Sequence, residues 1–183
     1  MNLGETYVLD GIDLRVLDEL QRDSKRSLKE IGASVGLSAP SVMERVRKLE
    51  SAGIIKGYHA LLDARKVGLD VAAFIGVSIL SPKQLSAFEE WVDSIPQVME
   101  CHHVTGGHTL LLKVKTQNTK DLEGLISRIR SMEGVASTET MVVLSTHTER
   151  AEVALPAGEP AGEPRRRKRP RRKGDPLETR QAS

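Results

Sequence analysis

From residue 71 to residue 146 the chain passes twice through one pattern, and this repeat restricts its fold more than any other feature. Val71–Leu80 is an apolar, β-branched run. Lys83–Ser94 follows, with Leu85, Phe88, Trp91 and Val92 on one helical face. Val98–Thr105 reads as a strand, Gly106-Gly107 as a turn and His108–Thr116 as the next strand. Asn118–Met132 is helical again, with Leu122, Leu125, Ile126 and Ile129 inward, and Ala136–Thr146 is the last strand. The order βαββαβ is the ferredoxin-like arrangement. The two helices exit through similar segments, Ile95-Pro96-Gln97-Val98 and Met132-Glu133-Gly134-Val135, as two related halves would. Such a sheet carries both helices on one face, and its other face needs a partner. The pattern therefore predicts a dimer built by sheet-on-sheet packing.

The first 60 residues read differently. Ile12, Leu14, Val16, Leu17 and Leu20 predict an amphipathic helix capped by Asp10 and ending near Asp23 and Ser24. Ser27-Leu28-Lys29-Glu30 fits a capping box at the start of a second helix, buried through Leu28, Ile31 and Val35 and broken at Gly36. A third helix starts at its cap Ser38 and runs to about Ala52, before Gly53. At 100° per residue, Val42, Val46 and Leu49 fall within about 60° and face inward. Pro40, Ser41, Glu44, Arg47 and Lys48 fall on the opposite face, flanked by Ser38 and Arg45. Ile54–Ala60 reads as a short strand. Three helices, a tight glycine turn and a following strand describe a winged helix-turn-helix. The small front of the third helix (Ser38, Ala39, Pro40, Ser41) can approach base edges. Arg45, Arg47 and Lys48 suit phosphates or guanine edges. A three-helix interaction module with a solvated charged face fits the same pattern.

The fold class is thus α+β, in four zones: residues 1–60 as a DNA-binding domain, 61–70 as a hinge with Gly68 as a breaker, 71–147 as a βαββαβ dimerisation domain, and 148–183 as a disordered polybasic tail. Net charge is +2, but residues 151–183 hold nine Lys/Arg against five Asp/Glu, so the basicity belongs to the tail. Arg165–Lys173 has eight basic residues in nine. As a solvated extension it has no specific role. As an arm on duplex DNA, about six engaged charges would add a salt slope of about −5 to log K. No apolar run approaches the ~20 residues of a membrane span, and the N-terminus has no secretory pattern. The single cysteine suits a reducing compartment, so a cytoplasmic protein is expected.

Little chemistry is offered. In Cys101-His102-His103, strand alternation puts Cys101 and His103 on one face and His102 on the other. Two ligands are too few for a structural zinc site, so no metal is expected. No nucleophile, base and orienting group stand at useful spacing, so no catalytic residues are expected and no cofactor.

The stretches LDGIDLRVLDELQRDSKRSLKEIGASVGLSAPSVMERVRKLESAGIIKGYHALLD, CHHVTGGHTLLLKV and EGVASTETMVVL resemble the Lrp/AsnC (feast/famine) transcription regulators over residues 9–147. The resemblance implies sequence-specific binding of double-stranded DNA by the N-terminal domain. It also implies a C-terminal RAM-type domain that dimerises, often assembles octamers and binds a small effector, usually an amino acid. A dimer would set two recognition helices about one helical turn apart. Where the family commonly reads Thr-Gly-Asp-x-Asp, this chain reads Thr105-Gly106-Gly107-His108-Thr109, and both acidic positions are lost. The expectation is an effector site of Gly106, Gly107 and His108, with Thr138 and Thr140 nearby, or else a plain hairpin turn. Siroheme decarboxylases look like relatives of this architecture, but their basic-aromatic tract has no counterpart in Glu100–His108, which lacks Arg and Tyr. A metabolite sensor that no longer binds DNA is a further alternative, and the intact third helix argues against it.

Overall fold

The computed structural model describes residues 7–156, which form two compact units. Residues 7–58 with 151–156 make the first and residues 59–150 the second. Three helices build the first unit: α1 (Gly11–Arg22), α2 (Leu28–Val35) and α3 (Ala39–Ser51). Each begins where a side chain satisfies the free N–H groups of the first turn. Asp10 and Asp13 form a capping box on α1, Ser27 and Glu30 form one on α2, and Ser38 accepts from the Ser41 N–H on α3. Val16, Leu17, Ile31, Val35, Val42, Val46 and Leu49 make the core.

The turn between α2 and α3 rests on two glycines with different tasks. Gly36 sits at φ 77° and closes α2 in the left-handed region. Gly32 lies inside α2, where a Cβ would stand 2.5 Å from the Leu37 carbonyl oxygen. The chain leaving Gly36 therefore passes over α2 at a distance that only a hydrogen at position 32 permits.

Ile54–Ala60 does not form the expected strand. Ile54 and Ile55 instead donate back to the Leu49 carbonyl, and their side chains pack on the helical core. A strand exists through its ladder, and no described segment pairs with this one.

In the second unit a 3-10 turn (Arg65–Val67) ends at Gly68, φ 84°, ahead of β1 (Val71–Ile79). Then follow α4 (Pro82–Asp93), β2 (Val98–His103), β3 (Leu110–Thr116), α5 (Thr119–Ser131) and β4 (Val135–Val142). The sheet order is β2-β3-β1-β4, all antiparallel, as βαββαβ requires. Ala73, Ile75 and Val77 of β1 and Leu110, Leu112 and Val114 of β3 face Phe88 and Val92 of α4 and Leu122, Leu125 and Ile129 of α5. Trp91 packs at the edge of this core, 5.7 Å from the Phe88 ring and under Arg128.

Residues 148–156, expected in a disordered tail, are placed: Glu149 lies over the sheet and Leu155 packs on the first unit's core. Residues 157–183, with Arg165–Lys173, lie outside the described residues.

Two helical glycines separate close approach from simple permissiveness. Gly124 in α5 has open space at its Cβ position. Gly124→Ala is expected to stabilise by about 0.5–1 kcal/mol through helix propensity. Gly32→Ala is expected to destabilise by about 1–3 kcal/mol, because the Leu37 backbone must shift. Thermal unfolding of both variants measures the contrast, and melting shifts of the same sign would contradict it.

Candidate functional site

A buried carboxylate orients the third helix. Asp13 of α1 is 1% exposed. It accepts hydrogen bonds from the Asp10 N–H at 3.1 Å, the Tyr7 hydroxyl at 3.1 Å and Arg45 Nη1 at 2.6 Å. The same guanidinium nitrogen reaches Asp10 at 2.8 Å. A carboxylate taken out of water needs this saturation, since an unpaired one costs several kcal/mol. Burial works against the Asp10 carboxylate, yet the Asp13 and Ile12 N–H groups and the Arg45 guanidinium hold its carboxyl below the ordinary value. Burial likewise opposes the charge on Arg45, and Asp13 and Asp10 outweigh it and raise its pKa.

Arg45 is therefore a correction to the expected DNA-contacting set. Its side chain is 27% exposed and spent on α1. An arginine on the flank of the apolar stripe is close enough to a neighbouring helix to be captured by a buried acid.

The other residues of the α3 face stand as the helical angles require. Pro40, Ser41, Glu44, Arg47 and Lys48 are exposed, and Ala39 is half-buried. Ser38 is exposed at the cap, its hydroxyl 2.9 Å from that of Ser41. Lys48 pairs with Glu44 at 2.8 Å, and this contact lowers the Glu44 pKa and raises that of Lys48. Among the described residues Arg47 has no ion pair. It is the uncommitted cation of the face. Met43, 38% exposed, lies between Pro40 and Arg47 and was not singled out by the sequence. Its signal was an apolar residue off the 42/46/49 stripe. Such a side chain can contact a thymine methyl.

The expected effector residues are brought together only in part. Gly106 adopts φ 124° in the loop before β3. His108 lies over Gly76, where any side chain would collide with the imidazole. Its Nε2 is 2.9 Å from Glu139, and its Nδ1 is 3.4 Å from the Ser78 hydroxyl. Thr138 and Thr140 are paired with Val77 and Ile75, whose side chains are in the helix-covered core. Thr138 accepts from Arg130 Nε at 2.8 Å, and Thr140 Oγ1 is buried with no partner among the described residues. Both threonines therefore face away from His108. Glu139, between them, is paired with Gly76 and faces the loop. It places a carboxylate beside this turn.

Cys101 and His103 share the helix side of β2. His103 meets Glu89 at 2.5 Å. Burial, with Glu89 and Asp93 nearby, pushes the Cys101 thiol up, the opposite of an activated thiolate. No group of three or more potential metal ligands gathers among the described residues. On the open sheet face Lys113 binds Glu149 at 2.7 Å and Glu100 at 3.1 Å. A groove of about 840 Å³ lies there, lined among others by Leu62, Arg65, Phe74, Lys115 and Leu144.

Comparison with known proteins adds a second line of observation. Residues 9–50 match the AsnC-type helix-turn-helix domain and residues 72–153 the Lrp/AsnC ligand binding domain. The chain is 35% identical over 147 residues to the HTH-type transcriptional regulator FL11 of Pyrococcus horikoshii, covering 80% of this chain and 97% of that protein. It is 36% identical to the HTH-type transcriptional regulator LrpC of Bacillus subtilis, covering 75% and 92%. Among solved structures, the regulator NMB0573 of Neisseria meningitidis in complex with L-Met superposes with a TM-score of 0.76 at 28% identity, covering 80% and 97%. AsnC of E. coli superposes with 0.74 at 28% identity, covering 80% and 99%.

Arg45→Met is expected to cost on the order of 2–3 kcal/mol in chemical denaturation, below the loss for a fully buried pair because Arg45 is part-exposed. Arg47→Ala should leave stability within about 0.5 kcal/mol. Asp10 supplies the pH test. Its folded pKa is depressed, so its stabilisation is present above the unfolded value near 3.9 and is lost as pH falls through the lower folded value. Acid denaturation below about pH 4 should therefore be shallower in Arg45→Met.

Proposed function

The chain belongs to the Lrp/AsnC family of transcriptional regulators, and from that premise we propose how its own residues carry the work. It is a sequence-specific DNA-binding transcriptional regulator whose activity a small effector modulates. The observation that carries the DNA reading is the exposed α3 face, with Ser38, Pro40, Ser41 and Arg47 in front and Arg45 locked behind. The small N-terminal residues and Met43 read base edges in the major groove, while Arg47 and Lys48 meet phosphates or guanine edges. The protein acts as a dimer through the open sheet faces, with two α3 helices about 34 Å apart on a pseudo-palindromic site. Higher assemblies, octamers included, build on that dimer. The regulator has no catalytic step, requires no cofactor and works in the cytoplasm on the nucleoid. Among the described residues no helix is long and apolar enough to cross a membrane.

The effector is an amino acid or a related metabolite, held by the Gly106-Gly107 backbone, His108 and Glu139. Glu139 is 65% exposed and stands where an α-ammonium group can replace His108 as its partner. Thr138 and Thr140 have no part in this site.

Gel-shift titration with DNA from upstream of the protein's own gene tests the first reading. Arg47→Ala should weaken binding and reduce the slope of log K against log salt by about 1 if it holds a phosphate. Failure to prefer any duplex would overturn it. Calorimetry against the twenty amino acids tests the second. Heat that disappears in Glu139→Gln is the expected result, and heat that is unchanged in that variant places the ligand elsewhere.

A further inference from the structure

Glu44 stands at the centre of the face that α3 leaves exposed. At 100° per residue it lies within about 60° of Pro40, Ser41, Arg47 and Lys48, on the far side of the helix from the buried Val42, Val46 and Leu49. It is the one acid among these exposed residues, and the other two charges are basic. Its carboxylate is 2.8 Å from Lys48 Nζ, with the Glu44 side chain 69% and the Lys48 side chain 56% exposed. An exposed pair of this kind adds little to stability, so the fold by itself gives no reason for an acid at this place.

A carboxylate on a surface that meets duplex DNA is repelled by the phosphates and by most of what the major groove presents. Guanine N7 and O6, adenine N7 and thymine O4 are acceptors, and only cytosine N4 and adenine N6 donate. The adenine amino group stands between its own N7 and the O4 of its paired thymine, so a carboxylate there faces an acceptor on either side. The cytosine amino group has an acceptor on one side only, the O6 of its paired guanine. That O6 and the neighbouring N7 in turn suit a lysine. Glu44 and Lys48 already hold an acceptor and a donor side by side, one helical turn apart. The edge of a C·G pair offers the complementary donor and acceptors, also side by side.

We propose that Glu44 and Lys48 act as one unit that reads a C·G base pair in each half-site, Glu44 accepting from cytosine N4 and Lys48 donating to guanine O6 or N7. The inference rests on the DNA-binding reading above and gives it a base preference. In the free protein the two side chains satisfy each other. On DNA both turn to the base edges, where each meets a group of its opposite kind and neither charge is left without a partner. The acid also works by exclusion, because guanine, thymine or adenine in the cytosine's place sets acceptors against the carboxylate. Arg47, on the other flank of Glu44, then meets the backbone.

Selection of bound duplexes from a randomised pool tests it, with the native full-length chain, Glu44→Gln and Lys48→Gln. Both positions are exposed, so the variants should melt with the native chain. The native chain should enrich a C·G pair in each half-site, and changing that pair to any other should weaken binding about five- to a hundredfold. In Glu44→Gln and in Lys48→Gln the penalty at that pair should drop to about twofold or less, with preference at the other positions kept. Glu44→Gln should bind an unrelated duplex at least as tightly as the native chain, since a charge of the repelled sign is gone. A selected site with the same pattern in the native chain and in Glu44→Gln overturns the proposal. So does a uniform weakening of Glu44→Gln on every duplex, which would mean that Glu44 acts only through the helix. A Lys48→Gln variant that alters a different base pair overturns the shared reading. A native chain that enriches no sequence defeats the recognition reading and this one with it, whereas the other adverse results leave recognition standing.

Discussion

The recognition surface depends on an acid that water cannot reach. Asp13 is buried in α1, and among the described residues the only cation it bonds is Arg45 of α3. Helix packing through Val16, Leu17, Val42, Val46 and Leu49 brings the two helices together but leaves rotation and sliding only loosely specified. An ion pair with a fixed donor and a saturated acceptor selects one setting, because any other leaves a buried charge unpaired. The charge that seemed available for DNA is thus used to present its neighbours.

The same economy runs through the sheet unit. Its two faces differ because alternate residues point opposite ways, and β1 lies between β3 and β4 in register. The odd positions 73, 75 and 77 enter the helix-covered core, while Gly76 and Ser78 fall on the side of His108. Gly76 is where the imidazole needs room. Without a Cβ there, His108 drops onto the sheet and reaches Glu139 across it. The loop before β3 and the carboxylate on β4 are brought together through this one close approach.

Local signals were readable where the physics is local. Asp10, Ser27 and Ser38 announced the three helix starts, and Gly36 and Gly53 the ends of α2 and α3, because caps act within one turn of chain. The apolar periods of 71–146 specified the order of strands and helices, since burial repeats every 2 or 3.6 residues whatever the partner. Ile54–Ala60 was misread for the complementary reason. Its β-branched start satisfies strand propensity, yet its hydrogen bonds go back to Leu49 and its side chains to the helical core.

The sequence by itself determined three capped helices with a glycine turn, a βαββαβ unit, a face of α3 free for contact, and a basic run near its end. Each follows from periodicity, capping or composition, which neighbouring residues decide among themselves. Only the tertiary structure decided that Arg45 turns to Asp13, 32 residues away. It also decided that Glu139 and not Thr138 or Thr140 meets His108, and that Val153 returns to Gln21. Those pairings depend on strand register and helix packing between distant segments, and a one-residue change of register would reverse which side chains share a face.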